Sequence, residues 1–357
     1  MSKKIAVILF NLGGPDKLDS VQQFLFNLFN DKHIITLPQP LRYIIAKIIS
    51  KFRTKKSQNI YRQMGGKSSI LDESTLQAIA LEKYLNTHYA MHQKVIYDVI
   101  PMMRYWHPMT CEIIKQVSDQ KYDNIILLPL YPHFSTTTTL SSLREWFKYA
   151  KNIPIANFIC CYSHHPGYID ASVDIIKETL KQINTTKPIR LLFSAHSIPQ
   201  HISDKGDPYQ KQIIDSVNAI AAHIPNAQHT LCYQSKVGRM KWLEPDIKSE
   251  LLAAGKRHEA VVVIPISFTS EHSETLVELD IEYAAVAQAH NIEYYRVPTL
   301  RSHPIFIQTL ADLVIKKLAV QIPDLSKHIN QNPYKNAKVT FHCNAALCCQ
   351  KIQFNAY

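Results

Sequence analysis

Short strand-like segments recur along the chain, the most apolar at 4–10, 124–130 and 260–266 and more mixed ones at 95–100, 154–161, 189–193, 229–233 and 293–297. Unbroken runs rich in Val, Ile and Leu predict strands buried on both faces, whereas a strand with one wet face would alternate. Between them, apolar positions at helical spacing predict helices, including 21–29, 44–52, 76–86 and 305–320. Strand–helix alternation of this kind implies parallel sheets with helices on both faces. The pattern therefore predicts an α/β fold of two similar doubly wound domains, each with a four-stranded parallel sheet flanked by helices, facing each other across a cleft. The domains are expected over 1–170 and 171–322, with an irregular extension over 323–357, and the 305–320 helix is expected to cross back to the first half.

The run at 260–266 leads into a polar turn and a second periodic stretch, where Glu271, Glu274, Glu278 and Glu282 stand three, four and four apart with His272 beside the first. On a helix that spacing puts four carboxylates on one face. A solvated acidic face satisfies the pattern. So does the wall of a site, because open α/β sheets bind ligands beyond the carboxyl ends of their strands. The 189–193 run ends on Ser194-Ala195-His196, which places a histidine on that same edge. A histidine facing a carboxylate can hold a divalent iron or zinc, or pass protons.

Composition narrows the choices. With 357 residues the chain exceeds one ordinary core, and no apolar window is long enough to span a membrane. The first residues read as a strand and not as a signal peptide, so a cytoplasmic location is expected. The net charge of +11 favours acidic partners, yet no nucleic-acid motif accompanies it and no nucleic-acid partner is expected. Seven cysteines at irregular spacing do not form a disulfide framework. Residues 33–56 hold an apolar stripe (Ile44, Ile45, Ile48, Ile49, Phe52) flanked by lysines, which fits either a core helix or a lip on an anionic membrane face. Oligomeric state is left open.

Specific motifs add a resemblance. LLFSAHSIP at 191–199 with KGDPY at 205–209, and PISFTSEHSETLVELDIEY at 265–283, resemble the two active-site segments of the ferrochelatases. FNLGGP (10–15), YRQMGGKSSI (61–70), MRYWHP (103–108), PLYPHFSTTTTLSS (129–142) and QSKVGRMKWL (234–243) continue the likeness in order along the chain. The resemblance implies a class II chelatase-like fold and insertion of Fe(2+) into protoporphyrin IX with release of two protons, the last step of haem synthesis. It implies His196 and Glu274 as the catalytic and metal-holding pair, with Glu271, His272 and Glu278 on a path for protons or metal. It also implies Leu12, Arg104, Tyr131, Ser135 and Trp242 as porphyrin contacts.

FNLGGP and the apolar lip resemble the bacterial protoporphyrin-using branch, with peripheral contact to the inner membrane through the lip. Some relatives hold a [2Fe-2S] cluster on three tail cysteines and one from the body. Here Cys343, Cys348 and Cys349 are the tail candidates; Thr136 stands at the body position, and Cys160 or Cys161 is a substitute. Alternatives are metallation of coproporphyrin III, cobalt insertion into a corrin precursor, and a non-enzymatic haem or iron carrier.

Overall fold

The computed structural model describes residues 2–90, 94–150, 153, 157–238 and 240–319. Compactness divides the described residues into two units, one within 1–130, 135–159 and 310–319, the other within 131–134 and 160–309. The second unit thus begins earlier than the sequence pattern placed it. The three tail cysteines, Cys343, Cys348 and Cys349, lie outside the described residues.

The first unit runs β1 (Lys3–Asn11), α1 (Val21–Phe29), α2 (Gln39–Arg62), α3 (Ile70–Leu85), β2 (Val95–Met103), α4 (Thr110–Gln120), β3 (Asn124–Pro129), α5 (Thr139–Tyr149) and β4 (Asn157–Phe158). Its strands are parallel in the order β2-β1-β3-β4. β1 pairs on both sides, and its positions 5–11 are all buried, which is why its sequence is apolar without alternation. The edge strand β2 alternates instead.

Helix α2 departs from the core reading. Pro40 sits in its first turn, where a missing N–H costs nothing. Only Ala46, Ser50 and Tyr61 of its 24 residues are buried. Leu41, Ile44, Ile48 and Phe52, at three- and four-residue spacing, are 47%, 55%, 50% and 81% exposed, and Lys47, Lys51, Lys55 and Lys56 are exposed with them. The apolar stripe is a surface feature.

The second unit runs α6 (Pro166–Gln182), β5 (Ile189–His196), α7 (Gln200–Asp204), α8 (Tyr209–Ala221), β6 (Gln228–Gln234), α9 (Ile247–Lys256), β7 (Ala260–Pro265), α10 (Ser273–Leu276), a π-helical turn (Glu278–Tyr283), α11 (Ala284–Ala289) and β8 (Tyr294–Arg296). α12 (Pro304–Ala319) begins in this unit, and its residues from 310 on group with the first. The strand order is β6-β5-β7-β8, again parallel. The chain builds outward from β5 to β6 and then crosses to β7, so the order reverses between β5 and β7. That reversal is where an open α/β sheet leaves a crevice at its carboxyl edge.

The π turn is fastened to the sheet by Leu279, fully buried against Leu192, Val261, Val263, Ile247 and Leu251. No helix among the described residues is long and apolar enough to cross a membrane. Leu279→Ala should cost about 2–5 kcal/mol by removing buried methyl groups and leaving a cavity. Urea unfolding followed by circular dichroism would measure it, and a change below about 1 kcal/mol would mean that the turn is not held from beneath.

Candidate functional site

Strands β5 and β7 leave the sheet at the same level, with Ser194 paired to Pro265 and His196 paired to Gln234 of β6. His196 is the last residue of β5. Its backbone N–H donates to Ser267 Oγ at 3.0 Å and its carbonyl accepts from Tyr209 Oη at 2.9 Å, which fixes the direction of the side chain. The ring Nδ1 lies 2.8 Å from Glu274 Oε2. The two side chains are 37% and 26% exposed, so solvent reaches the pair. Among the described residues no group hydrogen-bonds His196 Nε2, which leaves that atom to an incoming ligand.

The carboxylate row is divided by the backbone. Helix α10 lasts four residues, and the chain then widens: Glu282 N–H bonds to the carbonyl of Val277, five residues back, in the π-helical manner. The expected single face of four carboxylates therefore does not form. Glu271 precedes the helix and turns inward, its Oε1 accepting from Arg296 Nη1 and the Thr299 N–H, each at 2.8 Å. Glu274 meets His196. Glu278 accepts from the Ser235 N–H at 2.8 Å, from Ser235 Oγ, and from Gln234 Nε2 at 3.1 Å. Glu282 is exposed, as a solvated face would have it. His272 is buried with Nδ1 donating to the Ser270 carbonyl at 3.0 Å and Nε2 directed at Glu274 Oε2 from 3.5 Å.

These surroundings set the charges. Burial opposes ionising Glu274, but the His196 charge and hydrogen bond, with His272 behind them, outweigh it and hold the carboxyl well below the usual carboxylate range. Burial pushes Glu278 up; its hydrogen bond from Ser235 resists, and the negative charge of Glu274 adds to the rise. Burial opposes charging His196, yet Glu274 wins by charge and hydrogen bond, and the imidazole pKa is raised. Burial also opposes ionising Glu271, and Arg296 overrides it. Two carboxylates of opposite proton affinity thus stand beside one basic histidine.

Arg296, Gln234, Ser235 and Tyr209 complete this arrangement, and sequence reading did not single them out. Arg296 spans from Glu271 to Asp280, which it grips with two nitrogens, and so ties the start of the row to the π turn. Gln234 bonds both the Glu274 carbonyl, at 2.7 Å, and Glu278. Gln234, Ser235 and Tyr209 do lie inside recognisable motif stretches; Arg296 had no such signal, because only its partners give it a role.

The other expected contacts fall as follows. Trp242 is half-buried in the loop after β6, its Nε1 donating to the Val237 carbonyl at 3.0 Å, and Tyr131 is half-buried just after β3. In the first unit, Leu12 packs against Val21, Phe24, Tyr105 and Trp106. Gly13 has φ +86, and a side chain on Gly14 would collide with Ser68, so these glycines serve close packing of the protein on itself. Arg104 bonds Asp31 at 2.9 Å and Ser141 at 2.8 Å. Burial would raise Asp31, but Arg104 overrides it and keeps the carboxylate charged. Ser135 is buried and starts the turn into α5, bonding Thr137. No group of three or more His, Cys, Asp or Glu among the described residues is arranged to hold a metal.

The raised His196 pKa means that the native state binds this proton more tightly than the unfolded chain, whose histidine titrates near 6.5. The linked stability is present in full below the unfolded value and is lost as pH rises through the native one. In Glu274→Gln the charge and hydrogen bond of that residue are both removed and only the Glu278 charge still opposes burial, so the His196 pKa should fall below that of the parent in an NMR titration of its ring protons. A value unchanged from the parent would mean that the two side chains do not interact in solution.

With this geometry in place, comparison with known proteins is direct. A sequence model described as Ferrochelatase matches residues 4–318. A ferrochelatase of Rickettsia bellii (strain OSU 85-389) is 46% identical over 317 residues, covering 88% of this chain and 87% of its own. One from Wolbachia sp. subsp. Drosophila simulans (strain wRi) is 48% identical over 317 residues, with coverage of 87% and 99%. Among solved structures, SirB from Bacillus subtilis, described with Fe3+, aligns over 90% of this chain and 98% of its own, with a TM-score of 0.53 at 12% identity. DR2241 from Deinococcus radiodurans, a multi-domain protein described as structurally similar to chelatases, aligns over 87% of this chain and 54% of its own, with a TM-score of 0.50 at 12% identity. These structural likenesses bear on the fold, and the sequence matches bear on the family. The chain belongs to the ferrochelatase family, the lyases of haem biosynthesis that place ferrous iron in a porphyrin.

Proposed function

We propose that this ferrochelatase metallates protoporphyrin IX and that His196 and Glu274 are where iron and ring nitrogens meet. The reading rests chiefly on the 2.8 Å contact between these two residues at the reversal point of the second sheet. Insertion exchanges one Fe(2+) for two pyrrole protons, so charge balances only if the site can take up both protons as the metal enters. His196, made more basic by Glu274, takes a pyrrole proton through Nε2, and the Glu274 carboxylate stabilises the imidazolium. Glu278, with its raised proton affinity, receives a proton further along the row. The same imidazole nitrogen and carboxylate oxygen suit ferrous iron as ligands. Glu271, fixed by Arg296, and His272, fixed by Ser270, complete the path for protons or metal.

Tyr131 and Trp242 in the second unit are proposed porphyrin contacts, as are Leu12, Arg104 and Ser135 in the first. Asp31 and Ser141 hold Arg104 in place, which would present a propionate with a fixed guanidinium. The exposed stripe of Leu41, Ile44, Ile48 and Phe52 with its lysines supports a lipophilic porphyrin, and peripheral contact of α2 with an anionic membrane.

Purified protein given ferrous iron and protoporphyrin IX anaerobically should convert the porphyrin spectrum over many turnovers, faster than with coproporphyrin III. His196→Ala should abolish insertion and Glu274→Gln should lower it by at least about a hundredfold, with native circular dichroism retained. Near-parental turnover in both variants would show that the pair is wrongly chosen, and binding without turnover would indicate a carrier. Replacing Ile48 and Phe52 together by Glu should weaken sedimentation with anionic vesicles while leaving the protein folded. Equal sedimentation of parent and variant would remove the membrane contact.

A further inference from the structure

Cys160 and Cys161 take no part in the chemistry above, yet they are placed to do some of their own. Consecutive side chains of an extended strand point to opposite faces, which holds adjacent sulfurs apart. Here the chain has left β4 at Phe158, and the two Sγ atoms lie 3.6 Å from each other. Cys160 is 7% exposed and Cys161 is half-buried, so the pair can be approached from one side. The separation is far longer than a disulfide bond of about 2.05 Å. It is the span of two sulfurs sharing one ion through bonds of about 2.3 Å that meet at about 100°. Thiolates select soft ions, and a second donor already in place makes the second bond intramolecular.

The pair is also wired to the strand end that carries His196. Gln212 Nε2 donates to Cys161 Sγ at 3.5 Å, and Gln212 Oε1 accepts from the Phe134 N–H at 2.8 Å. Gln212 lies on α8 three residues after Tyr209, so the two share a helical face. Tyr209 Oη donates to the carbonyl of His196 at 2.9 Å.

We propose that Cys160 and Cys161 form a vicinal dithiol site for a thiophilic metal or metalloid of the trivalent-arsenic class, and that its occupation slows metallation through Gln212 and α8. With an organoarsenic oxide, both thiols condense at arsenic: two As–S bonds form, the As=O bond is lost, and the oxygen leaves as water with the two thiol protons. No oxidation state changes. A sulfur bound to arsenic is a poor acceptor, so Gln212 loses its bond and the helix face bearing Tyr209 shifts. The second half of the proposal rests on the reading of His196 given above; the first half does not.

The probe is phenylarsine oxide, applied to the reduced full-length chain carrying Cys348→Ser and Cys349→Ser, which removes the other adjacent cysteine pair. Intact mass and peptide mapping should show one arsenical per chain, bridging positions 160 and 161 and protecting both from a maleimide. Cys161→Ser should lose the adduct, and Cys111→Ser, at an exposed single cysteine, should keep it. Turnover should fall by roughly ten- to a hundredfold, the loss expected when a reacting group is misplaced by about an ångström, and recover with an excess of a small dithiol. Absence of a stoichiometric adduct, or its persistence in Cys161→Ser, would overturn the site. An adduct with unchanged turnover would overturn the coupling. Should the protein fail to metallate protoporphyrin at all, the mass readout would still decide the site.

Discussion

The hydrogen-bonded pair of His196 and Glu274 is the interaction on which the chemistry proposed for the second unit depends. Neither residue reaches the other by local structure, since 78 positions separate them. The sheet brings them together: β5 and β7 are adjacent, and they end at the same level. Gln234, at the end of β6, then binds the Glu274 carbonyl and the Glu278 carboxylate at once. The ends of β5 and β6 and the short helix α10 that follows β7 thus bring together an imidazole, a carboxylate and a clamp. Burying the bodies of these strands on both faces gives the rigid platform, and the polar ends remain for function.

Differences in proton affinity follow from where each carboxylate finds its partner. Glu274 is matched with an imidazole, Glu271 with a guanidinium, and Glu278 with uncharged donors close to another carboxylate. The first two stay ionised, and the third holds a proton more readily. The π turn makes this sorting possible. A regular helix would have carried the row past one face, but the wider turn sends Asp280 to Arg296, Glu278 to Ser235 and Glu282 to solvent. The proposed exchange of one divalent ion for two protons is a demand that such a graded row would meet.

Much of the fold was legible because burial writes itself into composition. The apolar runs at 4–10 and 260–266 are the central strands β1 and β7, and the motif ending at His196 marked the edge where the pair sits. Spacing failed where the backbone changed period: counting three and four residues between glutamates presumes an α-helix throughout, and the π turn breaks that count. The stripe of α2 was equally unreadable, since periodicity reports an apolar face without saying whether protein or solvent lies against it. Arg296 was silent because its role exists only in partners 16 and 25 residues away. The glycines of FNLGGP suggested a close approach by a ligand, and their space is taken by Ser68 and Met103 of the protein itself.

The central claim is that metal is received by the His196 and Glu274 side chains. Anomalous diffraction at the iron edge, from crystals grown without oxygen and soaked in ferrous iron, tests it most directly. The account predicts a peak within bonding distance of His196 Nε2 or a Glu274 carboxylate oxygen, absent in crystals of His196→Ala soaked alike. Iron bound elsewhere in the parent protein, with this pair vacant and the peak unmoved in the variant, would contradict it.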